Sequence, residues 1–315
     1  MSEPVAFTPD QEALAGSVRR YCAAKCTEEV QRSGPGSFPW PFWRGLAELG
    51  VLSLAVPGEG GGAGEVAAVA MELGRAFAPG PLTGTVFAAR TLPPACTPPV
   101  AAGERLVSWG CPPLMPWSPL AEVFVETDGE RAWLARPAGA VTPEETLGNE
   151  PWGRVALERV LPLDGVREAT DLAHMMLAGY LWGAGRRVLD AAVEHARTRV
   201  QFGRTLGTFQ AVAHPLVNAG LGLAAAEKLV KVAARAIDHG HHQGSALASA
   251  ARLSASRAAM DAAFVSHQTH GAMGYSVEGP IGHVAQRIRQ LSMVPSHAHH
   301  TGEQVLAMYA EGGRE

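Results

Sequence analysis

The chain has 315 residues, 47% of them hydrophobic, and a formal net charge of −4, so it can bury a sizeable core as two or three units. Charges of both signs are mixed and no basic stripe or tail occurs, which argues against a nucleic-acid partner. No apolar run reaches the roughly 20 residues of a membrane helix, and MSEPVAFTPDQEAL lacks a basic start followed by an apolar core, so a cytoplasmic chain with no membrane contact is expected.

Ala and Leu are abundant, which favours helix. Thr8 as N-cap, Pro9 at the first helical position and acids in the first turn predict a helix over 8–26. Cys22 and Cys26 lie four apart on it. With Cys96 and Cys111 they read as thiols of a reducing compartment, and no metal site at a recognisable ligand spacing is expected. A Gly/Pro stretch over 33–41 breaks the chain. A short helix over 42–49 ends at Gly50, followed by an apolar run over 51–56, a glycine-rich loop over 58–64 and a helix over 65–77. From about 104 to 164 the helical period fades. The runs Val123-Phe124-Val125, Ala132-Trp133-Leu134 and Val155-Ala156-Leu157, with Asp128-Gly129 as a hairpin turn, predict a small, mostly antiparallel β unit. Long Ala-rich helices follow over 171–199, 208–239 and 244–270, with Asp238-His239-Gly240-His241-His242 as a break, and suggest a bundle. The expected fold is mostly α with a central β domain: N-terminal helices over 1–103, a β domain over 104–165 and a C-terminal four-helix bundle over 166–315.

Three segments carry chemistry. In Ala196-Arg197-Thr198-Arg199-Val200-Gln201-Phe202-Gly203-Arg204-Thr205-Leu206-Gly207-Thr208-Phe209-Gln210, a helix bearing Arg199 is expected to stop at Gly203, and Thr208 to cap the next helix. A guanidinium near such a break offers a forked cation to a diphosphate. In Gln268-Thr269-His270-Gly271-Ala272-Met273-Gly274-Tyr275-Ser276-Val277-Glu278-Gly279-Pro280, glycines let backbone approach a ligand closely. The third runs from Phe42-Trp43-Arg44-Gly45-Leu46-Ala47-Glu48-Leu49-Gly50 through Ala55-Val56-Pro57 to Glu72-Leu73-Gly74-Arg75. A competing motif, Gly58-Glu59-Gly60-Gly61-Gly62-Ala63, fits G-x-G-x-x-A, but the acid expected about 20 residues on is missing.

These three segments, in this order, resemble the signatures of the acyl-CoA dehydrogenase family. The resemblance implies FAD as cofactor, an acyl-CoA or other acyl-thioester substrate, α,β-desaturation, and electron-transfer flavoprotein as acceptor. It implies that Arg199, Phe202, Leu206 and Gln210 hold the diphosphate and adenosine half of FAD, and that Gln268 and Gly271 meet the same cofactor across a subunit boundary, in a homo- or hetero-oligomer (a dimer or tetramer). The chain departs from the family in two respects. The C-terminal loop that usually supplies a Glu base reads Ser292-Met293-Val294-Pro295-Ser296-His297-Ala298-His299-His300-Thr301-Gly302, without a carboxylate. The T-E-P-x-x-G-S-D segment has no counterpart, and Ser108-Trp109-Gly110-Cys111-Pro112-Pro113 stands in its place. Asp171 and Glu168 are candidate bases, but each reads first as an acid of a helix's first turn, favoured by the helix dipole. The clusters His297, His299, His300 and His239, His241, His242 read as solvated histidines. The catalytic base is unassigned, so the short chain is similar to subunits of mixed or steroid-type acyl-CoA dehydrogenases. Two alternatives stand beside the active dehydrogenase: a non-catalytic partner that completes the FAD site of a paralogue, and a biosynthetic flavoenzyme acting on a carrier-protein thioester.

Overall fold

The computed structural model describes residues 5–34, 36–59, 61–276 and 279–294. An N-terminal helical group contains α1 (Pro9–Lys25), α2 (Glu28–Gln31), α3 (Trp40–Glu48), α4 (Ala63–Ala76), α5 (Leu82–Thr91) and α6 (Thr97–Ala101). Then come the strands β1 (Val107–Gly110), β2 (Leu114–Pro116), β3 (Val123–Thr127), β4 (Ala132–Pro137), β5 (Thr142–Glu144), β6 (Trp152–Arg154) and β7 (Leu157–Leu163). The C-terminal part holds α7 (Val166–Thr198), a hairpin of β8 (Val200–Gln201) and β9 (Arg204–Thr205), α8 (Gln210–Asp238), α9 (Gly244–His270), α10 (Ala272–Tyr275) and α11 (Gly282–Leu291). No helix among the described residues is long and apolar enough to cross a membrane.

Local chemistry explains where elements start. Thr8 and Gln11 bond reciprocally at the N-terminus of α1, each side chain accepting from the other's backbone N–H, at 3.2 and 3.0 Å. The hairpin between β3 and β4 turns through Asp128-Gly129, where Gly129 takes φ +100 and Asp128 accepts from the N–H groups of Glu130 and Arg131. The strands form one sheet in the order β1-β3-β4-β7 and a second in the order β2-β6-β5. The β1–β3 pair is parallel, an exception to the antiparallel expectation. Val155-Ala156 is not strand but the link between the two sheets. The 51–56 run is a series of turns.

The core is centred on α7, buried along most of its length. Small residues bring it against α4: a methyl group added at Gly74 would collide with the Tyr180 carbonyl, and one at Gly183 with that of Met71. Trp182 Nε1 donates to the Leu223 carbonyl of α8 at 2.9 Å, and Tyr180 Oη to the Ala78 carbonyl at 2.9 Å. The loop that fits G-x-G-x-x-A serves this packing. It opens α4, and the Asp238 carboxylate at the end of α8 accepts from the N–H groups of Ala63 at 2.6 Å and Gly64 at 2.9 Å. The helix N-terminus that a dinucleotide phosphate would need is thus filled by a side chain. Asp238→Ala leaves both amides without that acceptor and is expected to cost about 1–2 kcal/mol of stability, measured by urea unfolding.

Candidate active site and cofactor surface

The helix α7 ends at Thr198, earlier than Gly203. Arg199 is its C-cap, with its N–H on the His195 carbonyl at 2.8 Å and its own carbonyl accepting from Leu206 N at 2.9 Å. Between them the chain makes the β8–β9 hairpin rather than extra helix, turning through Phe202 and Gly203 at φ +54 and +78. Phe202 is left 91% exposed. Thr208 does not cap α8: it closes a 3-10 turn and its hydroxyl donates to the Thr205 carbonyl at 2.7 Å, while Phe209 is the N-cap. The Arg199 and Gln210 side chains are exposed and Leu206 is half-buried.

Helices α7 and α9 run in parallel, pairing Asp171 with Ser245 at one end and stacking His195 on His270 at the other, with ring centroids 4.6 Å apart. The two downstream motifs therefore meet at one end of the bundle. Gln268 is exposed on the last turn of α9 and Gly271 follows at φ +59, with open space where a side chain would stand. Around them Phe264, Met273 and Tyr275 are exposed. The donor set suits a diphosphate and a flat ring: a guanidinium, two amides and a backbone stripped of Cβ, beside apolar faces.

A separate cavity of about 490 Å³ lies between the β layer and the end of α11, walled by Trp109, Leu114, Leu147, Trp152, Met293 and Val294, with Glu145 and Arg289 also among its lining residues. Trp109, from the segment in place of the missing family motif, is buried and stacks on Phe87 with centroids 4.6 Å apart. None of Arg199, Phe202, Leu206, Gln210, Gln268 and Gly271 lines this cavity. The Val294 carbonyl in its wall accepts from Arg252 Nη2 at 2.8 Å, and Arg252 Nη1 lies 3.4 Å from His174 Nε2. Burial, then the nearby guanidinium, pushes His174 down to about 3, so the ring is a neutral acceptor. His174 and His195 are 21 positions apart on α7, which is about 30 Å along the axis. The cavity and the exposed motif surface thus occupy opposite ends of the bundle.

Residues 8–93 match the acyl-CoA dehydrogenase N-terminal domain and residues 164–294 the acyl-CoA dehydrogenase C-terminal domain. The chain is similar to acyl-CoA dehydrogenase IpdE2 of Mycobacterium tuberculosis, at 32% identity over 285 residues, covering 85% of this chain and 86% of the relative. The chain belongs to the acyl-CoA dehydrogenase family. IpdE2 of Mycolicibacterium smegmatis is 30% identical over 243 residues, covering 70% of this chain and 74% of that one. In fold the chain is similar to the Tcur3481-Tcur3483 steroid ACAD, with TM-score 0.82 at 23% identity, covering 97% of this chain and 99% of that one. It is also similar to the ChsE4-ChsE5 complex of Mycobacterium tuberculosis, with TM-score 0.79 at 23% identity, covering 99% of each chain. Family membership makes it an oxidoreductase of the type that acts on CH–CH groups, with FAD as cofactor. The two matched domains flank the β layer, where the T-E-P-x-x-G-S-D segment has no counterpart.

The candidate bases do not gather at the cavity. Asp171 lies in the second turn of α7, because that helix starts at Val166 and not at 171. It is buried, accepts from Ser245 Oγ at 2.6 Å, and is pushed up to about 6 by burial. Glu168 is exposed. His297, His299 and His300 lie outside the described residues. His239, His241 and His242 are exposed at the turn before α9, and no group of metal-binding side chains occurs among the described residues. Cys22 and Cys26 are buried free thiols, pushed up by burial to about 12 and about 11, too high for reactive thiolates. One carboxyl at the cleft escaped sequence reasoning: Glu150, fully buried, raised by burial, in the wall of a pocket of about 40 Å³ that shares Trp109, Trp152 and Val294 with the large cavity.

Because Asp171 is raised, the folded state binds its proton more tightly than the unfolded state does. Stability held below the unfolded pKa is therefore lost as pH rises from about 4 to about 6. Asp171→Asn should gain about 2 kcal/mol on the wild type between pH 4 and pH 7, checked by denaturant unfolding at the two pH values.

Proposed function

We propose that the chain is one subunit of a FAD-dependent acyl-CoA dehydrogenase, lending its exposed bundle end to a flavin shared with a partner subunit. Arg199 with Gln210 and Gln268 would hold the diphosphate and adenosine half, Gly271 would let the cofactor lie against backbone, and Phe202 and Leu206 would cover its apolar faces. The observation that carries this reading is the separation along α7: the motif residues meet at one end, with side chains turned outward, about 30 Å from the chain's own cleft. A surface with that donor set, turned outward and far from the chain's own cleft, is one that a second chain would complete. The two fold relatives are named as pairs of proteins, Tcur3481-Tcur3483 and the ChsE4-ChsE5 complex, and the first is a steroid ACAD. A mixed oligomer acting on a bulky acyl thioester is the form of the reading that these support.

FAD, when bound, supplies the hydride acceptor for α,β-desaturation, and electron-transfer flavoprotein is the expected onward acceptor. This chain's part is to grip phosphate, exclude water and shape an apolar wall. The base is assigned to the partner. That choice is favoured by Asp171 being bound to Ser245 and Glu168 being exposed, neither of them in the lining of the large cavity.

Arg199→Ala should lower bound FAD at least about tenfold in affinity, since charge-assisted bonds to the diphosphate are lost. Arg199→Lys should recover only part, because an ammonium lacks the fork. Flavin absorbance of the gel-filtered oligomer, with and without the partner chain, measures both. Unchanged FAD content in Arg199→Ala would defeat the assignment.

A further inference from the structure

The wall of the cleft is tied by one side chain. Gln290, on the last turn of α11, is nine-tenths buried and lies between two groups of the β layer. Its Oε1 accepts from the Gly148 N–H at 2.6 Å, and its Nε2 donates to the Glu150 carboxyl at 2.9 Å. The orientation of the amide is forced: a backbone N–H can only donate, so the oxygen must face Gly148 and the nitrogen Glu150. Arg287, one turn earlier, holds the other side of the same residue, with Nε 3.4 Å from the Gly148 carbonyl. The approach is close enough that a Cβ at Gly148 would stand 2.9 Å from Gln290 Oε1 and 3.0 Å from Arg287 Cα, so only glycine fits. Thr146 Oγ1 donates to the Glu150 carbonyl at 2.9 Å and closes the 146–150 loop on itself.

The two ends of this tie are the two sides of the large cavity. Glu145, Thr146 and Leu147 line it from the β layer, and Arg289, Gln290 and Met293 from α11 and the turn after it. We propose that Gln290 is the positioning residue of the cleft: by holding the Gly148 amide and the Glu150 carboxyl together it fixes the gap between the β wall and the α11 wall, and so the width an acyl group meets. This rests on the reading of the cleft as an acyl-thioester chamber. Gln290 acts through Gly148 and Glu150 and need not touch the substrate. Sequence separations of 142 and 140 residues make the tie a product of the fold alone.

Three variants test the tie by its polarity. In Glu150→Gln the new amide oxygen still accepts from Gln290, so the gap is kept. In Gln290→Glu the amide donor is gone and two buried carboxyls face each other, with at most a shared proton between them. In the double variant Glu150→Gln, Gln290→Glu the donor and acceptor are exchanged: the carboxylate introduced at position 290 accepts from both the Gly148 N–H and the new amide at position 150. Calorimetric titration of the full-length oligomer with naphthylacetyl-CoA, a bulky ring thioester, reads the chamber. Hydrogen exchange of the 146–150 amides reads the tie, and flavin content and melting temperature are recorded on the same samples. Gln290→Glu should bind the probe about tenfold more weakly and exchange Gly148 faster. The single Glu150→Gln variant and the double exchange should both stay within about threefold of wild type, and FAD content should not change. Wild-type affinity in Gln290→Glu overturns the proposal. So does weak binding with Gly148 still protected, or a folded double variant that does not recover. A wild-type oligomer that fails to bind naphthylacetyl-CoA defeats the acyl reading of the cleft, while FAD content and Arg199→Ala still judge the cofactor surface separately.

Discussion

The parallel packing of α7 and α9 governs where everything else can be. The two helices lie close enough that a Cβ on Gly185 would stand 2.8 Å from the Ala259 backbone, and the buried face of α9 is largely Ala, Gly and Ser. Helices that close cannot slide by a turn without placing larger side chains where only small ones fit. The register is locked further by polar pairs along the seam: Asp171 with Ser245, His174 with Ser249 and Arg252, and Ser266 Oγ donating to the Val188 carbonyl. With the register fixed, the turn after α7 and the turn after α9 must share one end, and the start of both helices must share the other.

That division separates two kinds of chemistry. At the cleft end, charge is taken out of water and met by close neighbours: the neutral His174 ring faces Arg252, Arg252 reaches the Val294 carbonyl, and Glu150 faces Gln290. A low-dielectric wall of this sort holds shape, because breaking any of these bonds costs the full desolvation of the group left behind. At the other end the groups are turned outward and lie in water, where a guanidinium alone binds little. An anion gains strength from Arg199 only when the surface is covered and the surrounding dielectric falls.

Most of the helical scaffold was legible because it is locally encoded. Thr8-Pro9, Asp128-Gly129 and the Ala-rich runs state their own starts, turns and periods, and the order of helices, strands and bundle follows from them. The errors came where local signals are short or silent. The start of α7 lies at Gly165, a left-handed cap that precedes a Val-Arg-Glu turn without a Ser or Asp at the cap itself. Strands of two residues, as in β8 and β9, are too short to alternate, so the hairpin read as the end of a helix. The family motifs picked out Arg199, Phe202, Gln210 and Gln268 but said nothing of their exposure. The cleft was out of reach for a different reason: Glu150 and Gln290 are ordinary polar residues in sequence, and only a fold that brings together positions 140 apart makes them partners.

Phe202 decides how the exposed end should be understood. It is held at positive φ, where a bulky residue is strained, and it projects into solvent at 91% exposure with the edge of Phe209 beside it, at 6.2 Å between centroids. Leaving a phenylalanine in water forgoes about 2 kcal/mol relative to burying it, and the left-handed backbone adds a further cost of about 1–3 kcal/mol. Neither cost is offset among the described residues, where the side chain stays in water. Phe264, Met273 and Tyr275 repeat the pattern on and beyond the adjoining end of α9. Strain and exposed aromatic surface together at one site favour association, and a guanidinium covered along with them would need negative charge opposite it. A cofactor with a diphosphate, seated in a partner's surface, meets both demands at once, whereas a bare apolar partner would bury Arg199 without an anion to face it.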